Sequence, residues 1–297
     1  MILITGATGQ FGSKAIDHLL KKGIDAADIT ALARDPEKAK GFAERGIKIR
    51  IGDYNDYNSL LSAFAGVDKL LLVSSSDKGA VENRTEQHIN VIKAAREAGV
   101  KHIVYTSFVR KTSFKDSSIA AFQQSHLQTE ETLKESGVSY TILQNGIYLE
   151  MIPIFAGSKV TDNQLITFPA KNGKASFVLR EELAEAAAHV LSTSGHENRI
   201  YQLVNLQSVS FQDIANAIST TLGKLVEYNS PEIPAFREIM TSNGIPEIYI
   251  GLFSMWAQAQ AEGAMDVENN TLENMLGRKP TTMIEFVQQV YGKDSKN

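Results

Sequence analysis

Along the first half of the chain, short runs that are apolar at nearly every position alternate with longer stretches in which apolar residues recur at helical spacing. Ile2-Leu3-Ile4 is the first such run. Beyond Thr5–Gly12 it gives way to Ile16, Leu19 and Leu20 on one helical face, with Gly23 placed to end that helix. A helical-period stripe marks a helix with one buried side, whereas a short, wholly apolar run marks a strand covered on both faces. The same alternation predicts strands at Ile29–Ala33, Ile47–Ile51, Leu70–Val73, His102–Thr106 and Tyr140–Leu143. Helices are expected from Asp35-Pro36 to Arg45, Asp56 to Phe64, Glu82 to Ala98 and Ser118 to Ser136, each with a glycine (Gly46, Gly66, Gly99, Gly137) to stop it. Repeated β-α units of this kind specify an α/β Rossmann fold, a doubly wound parallel sheet with strand order 3-2-1-4-5-6.

After Tyr148 the pattern becomes shorter and less regular, and every proline except Pro36 lies beyond it. Residues 1–150 are therefore expected to form a nucleotide-binding domain, and residues 151–297 a smaller α/β region that covers the substrate. Parts near 176–204, a helix from Glu181 to Leu191 and a strand Ile200–Val204, are expected to return to the sheet. A helix from Phe211 to Leu222 begins with Ser210 and Asp213 in capping-box positions, and two more helices, about Pro246–Glu262 and Thr282–Tyr291, complete the tail.

The chemistry suggested by this pattern starts at residue 5. Thr5-Gly6-Ala7-Thr8-Gly9-Gln10-Phe11-Gly12 lies between a strand and a helix, where unpaired main-chain N–H groups and the helix dipole can hold a phosphate. The spacing is G-x-x-G-x-x-G. Any turn into a helix needs glycine, so it is the position directly after an apolar strand that points to a dinucleotide. In such sheets the ligand sits at the carboxyl ends of the strands, where strand order reverses. Ser74, Ser75 and Ser76 would then face the glycine turn, and Thr106, Ser107 and Asn145 would line the nicotinamide end. Arg34, roughly 20 residues past the last glycine, can pair with a ribose 2′-phosphate, while Asp35 is expected to be occupied as a helix cap. This favours NADPH over NADH. Asp53 is placed for the adenine amino group, or equally as a turn aspartate.

Composition narrows the alternatives. The chain has 297 residues, no cysteine and a net charge of −4 from 30 Lys+Arg and 34 Asp+Glu. Disulfides and thiolate sites are excluded, and a reducing, cytoplasmic compartment is compatible. No basic stripe suggests nucleic acid, and no apolar run approaches the ~20 residues of a membrane span. A strand beginning at Ile2 is expected to leave no room for a signal peptide. The six histidines show no metal-ligand spacing, so no metal is expected. A homodimer is left open.

Several segments together carry a family resemblance: Gly6–Gly12, Ala33-Arg34-Asp35-Pro36, Gly52-Asp53-Tyr54, Leu70–Ser76, Asn90-Val91-Ile92 with Ala94-Ala95, Ala98-Gly99-Val100, Tyr105-Thr106-Ser107, the stretch around His126 and Glu130, and Gln144–Tyr148. The chain resembles the NmrA-like branch of the atypical short-chain dehydrogenases/reductases. The resemblance implies an NADP-binding Rossmann fold and an oxidoreductase that transfers a hydride directly to a quinone or related quinoid dye. Some NmrA-like proteins instead bind the dinucleotide as non-catalytic redox sensors, which is the competing reading.

The tyrosine and lysine usual in the wider superfamily, four apart after the fifth strand, are Phe122 and His126 here. Without that phenol, ketone reduction loses its general acid. A quinoid acceptor takes the charge into a delocalised oxyanion, so alignment with the nicotinamide is the main requirement. Asn145, Tyr148 and His126 are the candidates for a direct role. For His126 the alternative is packing beside Phe122 and Leu133, and His88, on a face with Ile92 and Ala95, reads as core. Tyr148, Phe155 and Trp256 are candidates for the substrate pocket, although aromatics at such spacings usually pack a core.

Overall fold

The computed structural model describes residues 1–75, 80–111 and 117–292. In chain order the strands are β1 Ile2–Ile4, β2 Ile29–Ala33, β3 Lys48–Ile51, β4 Lys69–Leu72, β5 His102–Phe108, β6 Ser139–Asn145, β7 Ile147–Tyr148, β8 Leu165–Thr167, β9 Phe177–Val178, β10 Arg199–Leu203 and β11 Glu227–Asn229. The α-helices are α1 Gln10–Lys21, α2 Lys40–Ala43, α3 Tyr57–Phe64, α4 Ala80–Glu97, α5 Ala120–Glu135, α6 Ile152–Ala156 and α7 Val160–Asn163. They continue with α8 Arg180–Ser192, α9 Phe211–Leu222, α10 Ile233–Ser242, α11 Glu247–Ala261, α12 Thr271–Leu276 and α13 Met283–Tyr291.

By Cα proximity the chain divides into two compact units. The first holds the described residues of Met1–Phe108, Phe122–Asn145 and Arg180–Leu203. Its sheet runs β10-β6-β5-β4-β1-β2-β3, every neighbouring pair parallel. This is the doubly wound Rossmann order with a seventh strand added beside β6. Alternation along the strands gives the sheet two apolar faces. Leu3, Leu70, Leu72, Ile103, Tyr105 and Ile142 join Leu60 and Phe64 of α3, Val91 and Ala95 of α4 and Leu133 of α5 in one buried cluster. The opposite face is covered by α1 and α8, which pack on each other through buried residues that include Ile16, Leu19, Leu183 and Ala187.

The second unit holds the described residues of Val109–Ala121, Gly146–Leu179 and Val204–Asn297. It contains two short parallel pairs, β7 with β9 and β8 with β11. Its core is aromatic. Phe168 lies 4.4 Å from Phe211, 5.0 Å from Phe155 and 6.2 Å from Phe236, centroid to centroid. The capping box at Ser210 is formed, with Ser210 N–H donating to Asp213 Oδ2 at 2.8 Å and Asp213 N–H to Ser210 Oγ at 3.2 Å.

One expected helix is shorter than its pattern. The stretch from Asp35 to Arg45 is a 3₁₀ turn, Glu37–Ala39, followed by the single α-turn α2. Asp35 Oδ1 accepts from Glu37 N–H at 3.0 Å, which caps the turn as expected. Gly41, inside so short a segment, lowers the helical propensity that would have fused the two pieces.

Candidate active site

The strand order reverses between β1 and β4, and Thr5 joins the two at that point. Its Oγ1 donates to Leu71 O at 2.9 Å and accepts from Val73 N–H at 2.9 Å, while its own N–H bonds Leu71 O at 3.0 Å. The Tyr54 hydroxyl reaches the same Thr5 oxygen and donates to Val73 O at 2.9 Å. Three carboxyl-end segments, after β1, β3 and β4, are thus fixed around one buried hydroxyl.

From there the glycine turn enters α1. Gly6 has φ +57, the left-handed region that glycine enters without penalty. A Cβ on Gly12 would stand 2.3 Å from Gly6 O and 2.9 Å from Ala7 Cα, so only glycine lets the helix close onto the turn. Gly9 is the N-cap, no side chain caps the helix, and its first turn carries no acid. That end offers main-chain N–H groups and a positive dipole to an anion from outside.

Below the turn lies a buried polar layer. Thr106 Oγ1 accepts from Ser74 N–H at 2.8 Å and donates to Ser74 Oγ at 3.3 Å. Ser75 N–H donates to His88 Nε2 at 3.1 Å, and Arg84 Nε donates to Ser75 O at 2.9 Å. Thr129 gives its proton to Ser125 O at 2.7 Å, so at 2.9 Å it accepts from His88 Nδ1–H. His88 is neutral. Burial, with Arg84 beside it, pulls its pKa down to about 3. Arg84 carries only donors, so His126 Nε2 at 3.3 Å accepts from it, and His126 Nδ1 faces the Tyr105 oxygen at 2.7 Å. Tyr105 is fully enclosed, and burial pushes its phenol pKa upward. Ser107 Oγ donates to the buried carboxylate of Glu130 at 2.5 Å, and Gln144 Nε2 reaches both Glu130 oxygens at 3.2 and 3.4 Å.

Asn145 differs from these neighbours. It ends β6 with 3% of its surface exposed, and neither Nδ2 nor Oδ1 has a hydrogen-bond partner among the described residues. A buried, unsatisfied amide costs roughly 1–3 kcal/mol, which a ligand able to bond both atoms would offset. A carboxamide-bearing nicotinamide fits that donor and acceptor pair.

The structure brings together at the carboxyl edge of the first unit Gly6, Thr8, Gly9, Gln10, Phe11, Gly12, Ser74, Ser75, Thr106, Ser107 and Asn145. Thr8 and Gln10 are exposed, while Phe11 is buried. Arg34, exposed, follows β2 and Asp53 follows β3 at the same edge. Asp53 Oδ1 accepts from Asn55 N–H at 2.8 Å and Asn55 Nδ2 at 3.0 Å, the turn role that the sequence allowed. Ser76 lies outside the described residues. Tyr148, Phe155 and Trp256 belong to the second unit. Tyr148 and Trp256 are half-buried, whereas Phe155 is packed among Phe168, Phe211 and Phe253.

Sequence reasoning missed Thr5, Tyr54, Arg84 and Thr129. Thr5 and Tyr54 sit in the Thr5–Gly12 and Gly52–Tyr54 motifs, and their hydroxyls at strand ends were the available signal. Arg84 and His88 lie one turn apart on α4, a spacing that puts both on one face. Among the described residues no group of three or more His, Asp or Glu could hold a metal, and no helix is long and apolar enough to cross a membrane.

A doubly wound sheet with a glycine turn at its switch point, an uncapped helix N-terminus and an unsatisfied amide at the same carboxyl edge defines a dinucleotide-binding α/β protein. The family model described as NmrA-like matches residues 1–287, and the chain belongs to the NmrA-like family. Over 294 residues it is 36% identical to quinone oxidoreductase 2 of Escherichia coli (strain K12), covering 98% of this chain and 99% of that protein. The crystal structure of Citrobacter sp. triphenylmethane reductase complexed with NADP(H) matches with a TM-score of 0.89 and 37% identity, over 97% of this chain and 99% of that one. The NADPH-dependent quinone oxidoreductase of Escherichia coli complexed with NADPH matches with a TM-score of 0.90 and 35% identity, over 98% and 100%.

Proposed function

We propose that this protein is an NADPH-dependent reductase that delivers hydride to a quinone or related quinoid dye. One observation carries the choice of acceptor. On α5, where a ketone reductase would need a proton-donating phenol, the chain has Phe122, whose ring lies 5.6 Å from Phe108 and under the Arg84 guanidinium at 4.9 Å. The imidazole one turn later, His126, faces Arg84 and Tyr105. Neither residue supplies a free acid, so the acceptor must stabilise its own developing charge, as a quinoid ring does.

Main-chain N–H groups of Gln10–Gly12 would hold the cofactor's pyrophosphate, and Arg34 the 2′-phosphate that separates NADPH from NADH. Asp53, through its second carboxylate oxygen, is assigned to the adenine edge. Ser74 and Ser75 would border the cofactor after β4, Thr106 and Ser107 would shape the floor at the nicotinamide end, and the Asn145 amide would orient the ring. Bound NADPH supplies the hydride. Tyr148 and Trp256 are assigned to the acceptor side. The same reading places the protein in the cytoplasm, with a second copy of the chain as its possible assembly partner.

Calorimetric titration with NADPH and NADH, followed by NADPH oxidation with menadione, a triphenylmethane dye and a simple aliphatic ketone, tests the reading. Binding of NADPH with reduction of the first two acceptors and not the ketone is expected. A protein that binds NADPH but reduces no acceptor would be a regulator of the sensing kind, and one that binds neither dinucleotide would remove the whole assignment.

A further inference from the structure

The main chain of Ser75 is held at both polar atoms by side chains from one helix. Its N–H is bound by His88 Nε2 at 3.1 Å and its C=O by Arg84 Nε at 2.9 Å. Both side chains are buried, Arg84 to 6% and His88 to 0% exposure. Arg84 forms no ion pair with a carboxylate among the described residues; its other contacts are Ser125 Oγ at 3.4 Å, His126 Nε2 at 3.3 Å and the Phe122 face at 4.9 Å. A buried charge without a counter-ion is expensive, and a neutral side chain of similar volume would satisfy packing better. Its presence calls for a reason beyond stability.

The proton inventory supplies one. A backbone N–H needs a lone pair at His88 Nε2, so His88 must be neutral with its proton on Nδ1, and Thr129 is oriented to receive that proton. The groups facing His88 are Arg84, Thr129, the Tyr105 ring at 5.4 Å and the Tyr54 ring at 6.3 Å, with no carboxylate among the described residues to favour an imidazolium. Burial, reinforced by the positive charge of Arg84, opposes a charge on His88, so its Nε2 stays an acceptor. Arg84 thus acts twice, as a direct donor to Ser75 O and as a charge that helps to preserve the lone pair holding Ser75 N–H.

We propose that Arg84 and His88 are positioning residues that set the main chain of Ser75, and through it the Ser74-Ser75 segment, for binding of the reduced cofactor. The proposal rests on the assignment of that segment to the NADPH site. Neither residue touches cofactor or acceptor, and each acts through Ser75.

The test uses the full-length protein. In uniformly ¹⁵N-labelled wild type, a through-hydrogen-bond coupling between the Ser75 amide nitrogen and His88 Nε2 is expected, with His88 in the Nδ1–H form at neutral pH; absence of that coupling overturns the proposal. His88→Leu should raise the Kd for NADPH at least about tenfold, and His88→Gln, whose amide oxygen can accept from Ser75 N–H, should recover most of it. Arg84→Met should raise the same Kd and also shift His88 titration toward higher pH. Unchanged NADPH affinity in both His88→Leu and Arg84→Met overturns the positioning role. If a variant does not fold, the wild-type measurement still decides. Failure of wild type to bind NADPH would sink the cofactor assignment itself. Binding that leaves the Ser75 amide resonance unmoved would sink the positioning role alone.

Discussion

The Ser107 hydroxyl donates to Glu130 at 2.5 Å between two buried side chains, one at the end of β5 and the other on α5. Gln144 of β6 reaches the same carboxylate at 3.2 Å, so one acid ties two adjacent strand ends to a helix. Glu130→Leu would strand both the serine hydroxyl and the glutamine amide. The expected loss is about 3 kcal/mol, with Glu130→Gln costing roughly 1 kcal/mol because it keeps an acceptor for Ser107. Urea denaturation monitored by circular dichroism measures both.

Acid should weaken the fold in a way that His88 helps to set. Unfolded, His88 takes up a proton below its ordinary 6.5, whereas in the folded protein it resists protonation down to about 3. Between those values the unfolded state holds the extra proton, so stability falls as pH falls through that window, by roughly 1.4 kcal/mol per pH unit for one group. His18, His102, His189 and His196 are also held below their usual range by burial and slope the same way. In His88→Gln the limb between these pH values should be shallower by about one proton, read from denaturation midpoints at a series of pH values.

Gly12→Ala puts a methyl group 2.3 Å from a main-chain oxygen, with no flexible side chain to yield. A cost of about 2–3 kcal/mol and loss of measurable NADPH binding are expected. Differential scanning calorimetry and dinucleotide titration check the two halves separately.

Arg34 follows β2 in an exposed position. If it meets the 2′-phosphate, Arg34→Ala should lower the ratio of kcat/KM for NADPH over NADH by at least about tenfold, chiefly through the NADPH KM. An unchanged ratio would remove Arg34 from the site.

Asn145→Leu should separate stability from function. Both polar atoms of the native side chain are buried and unsatisfied among the described residues, so the variant should melt at the same temperature or higher. Quinone reduction should nevertheless fall at least about tenfold, as the amide proposed to orient the nicotinamide is gone. A variant that turns over normally would assign the amide no part in the reaction.

The first unit was largely legible in the sequence because its strands are mostly apolar runs that alternate with helical stripes ended by glycine. Ile29–Ala33 matches its apolar run at both ends, and the strand order from β3 to β6 follows the β-α alternation. β7 and β9, two residues each, and β8 and β11, three each, are too short for any period to appear. The helix α10 was also unread, as Pro234 and a mixed face conceal its stripe. In the site, the glycine turn is legible because a main-chain requirement writes itself as glycine. The Ser75 clamp is not, since a buried arginine looks in a sequence like any solvated one. His88 could be read as buried from Ile92 and Ala95, but its partners Ser75 and Thr129 come from distant segments that only folding brings together.

β10 has a further consequence for how the chain matures. It pairs with β6 from Arg199↔Thr141 to Leu203↔Asn145, although Gly146–Leu179 of the second unit is encoded between the two. On the ribosome the sheet therefore stays one strand short until residues near 203 have emerged, with the flank of β6 open to wrong partners meanwhile. Truncation after β6, at the apparent end of the nucleotide-binding half, should yield an aggregating fragment, so neither half is separable as a continuous gene segment.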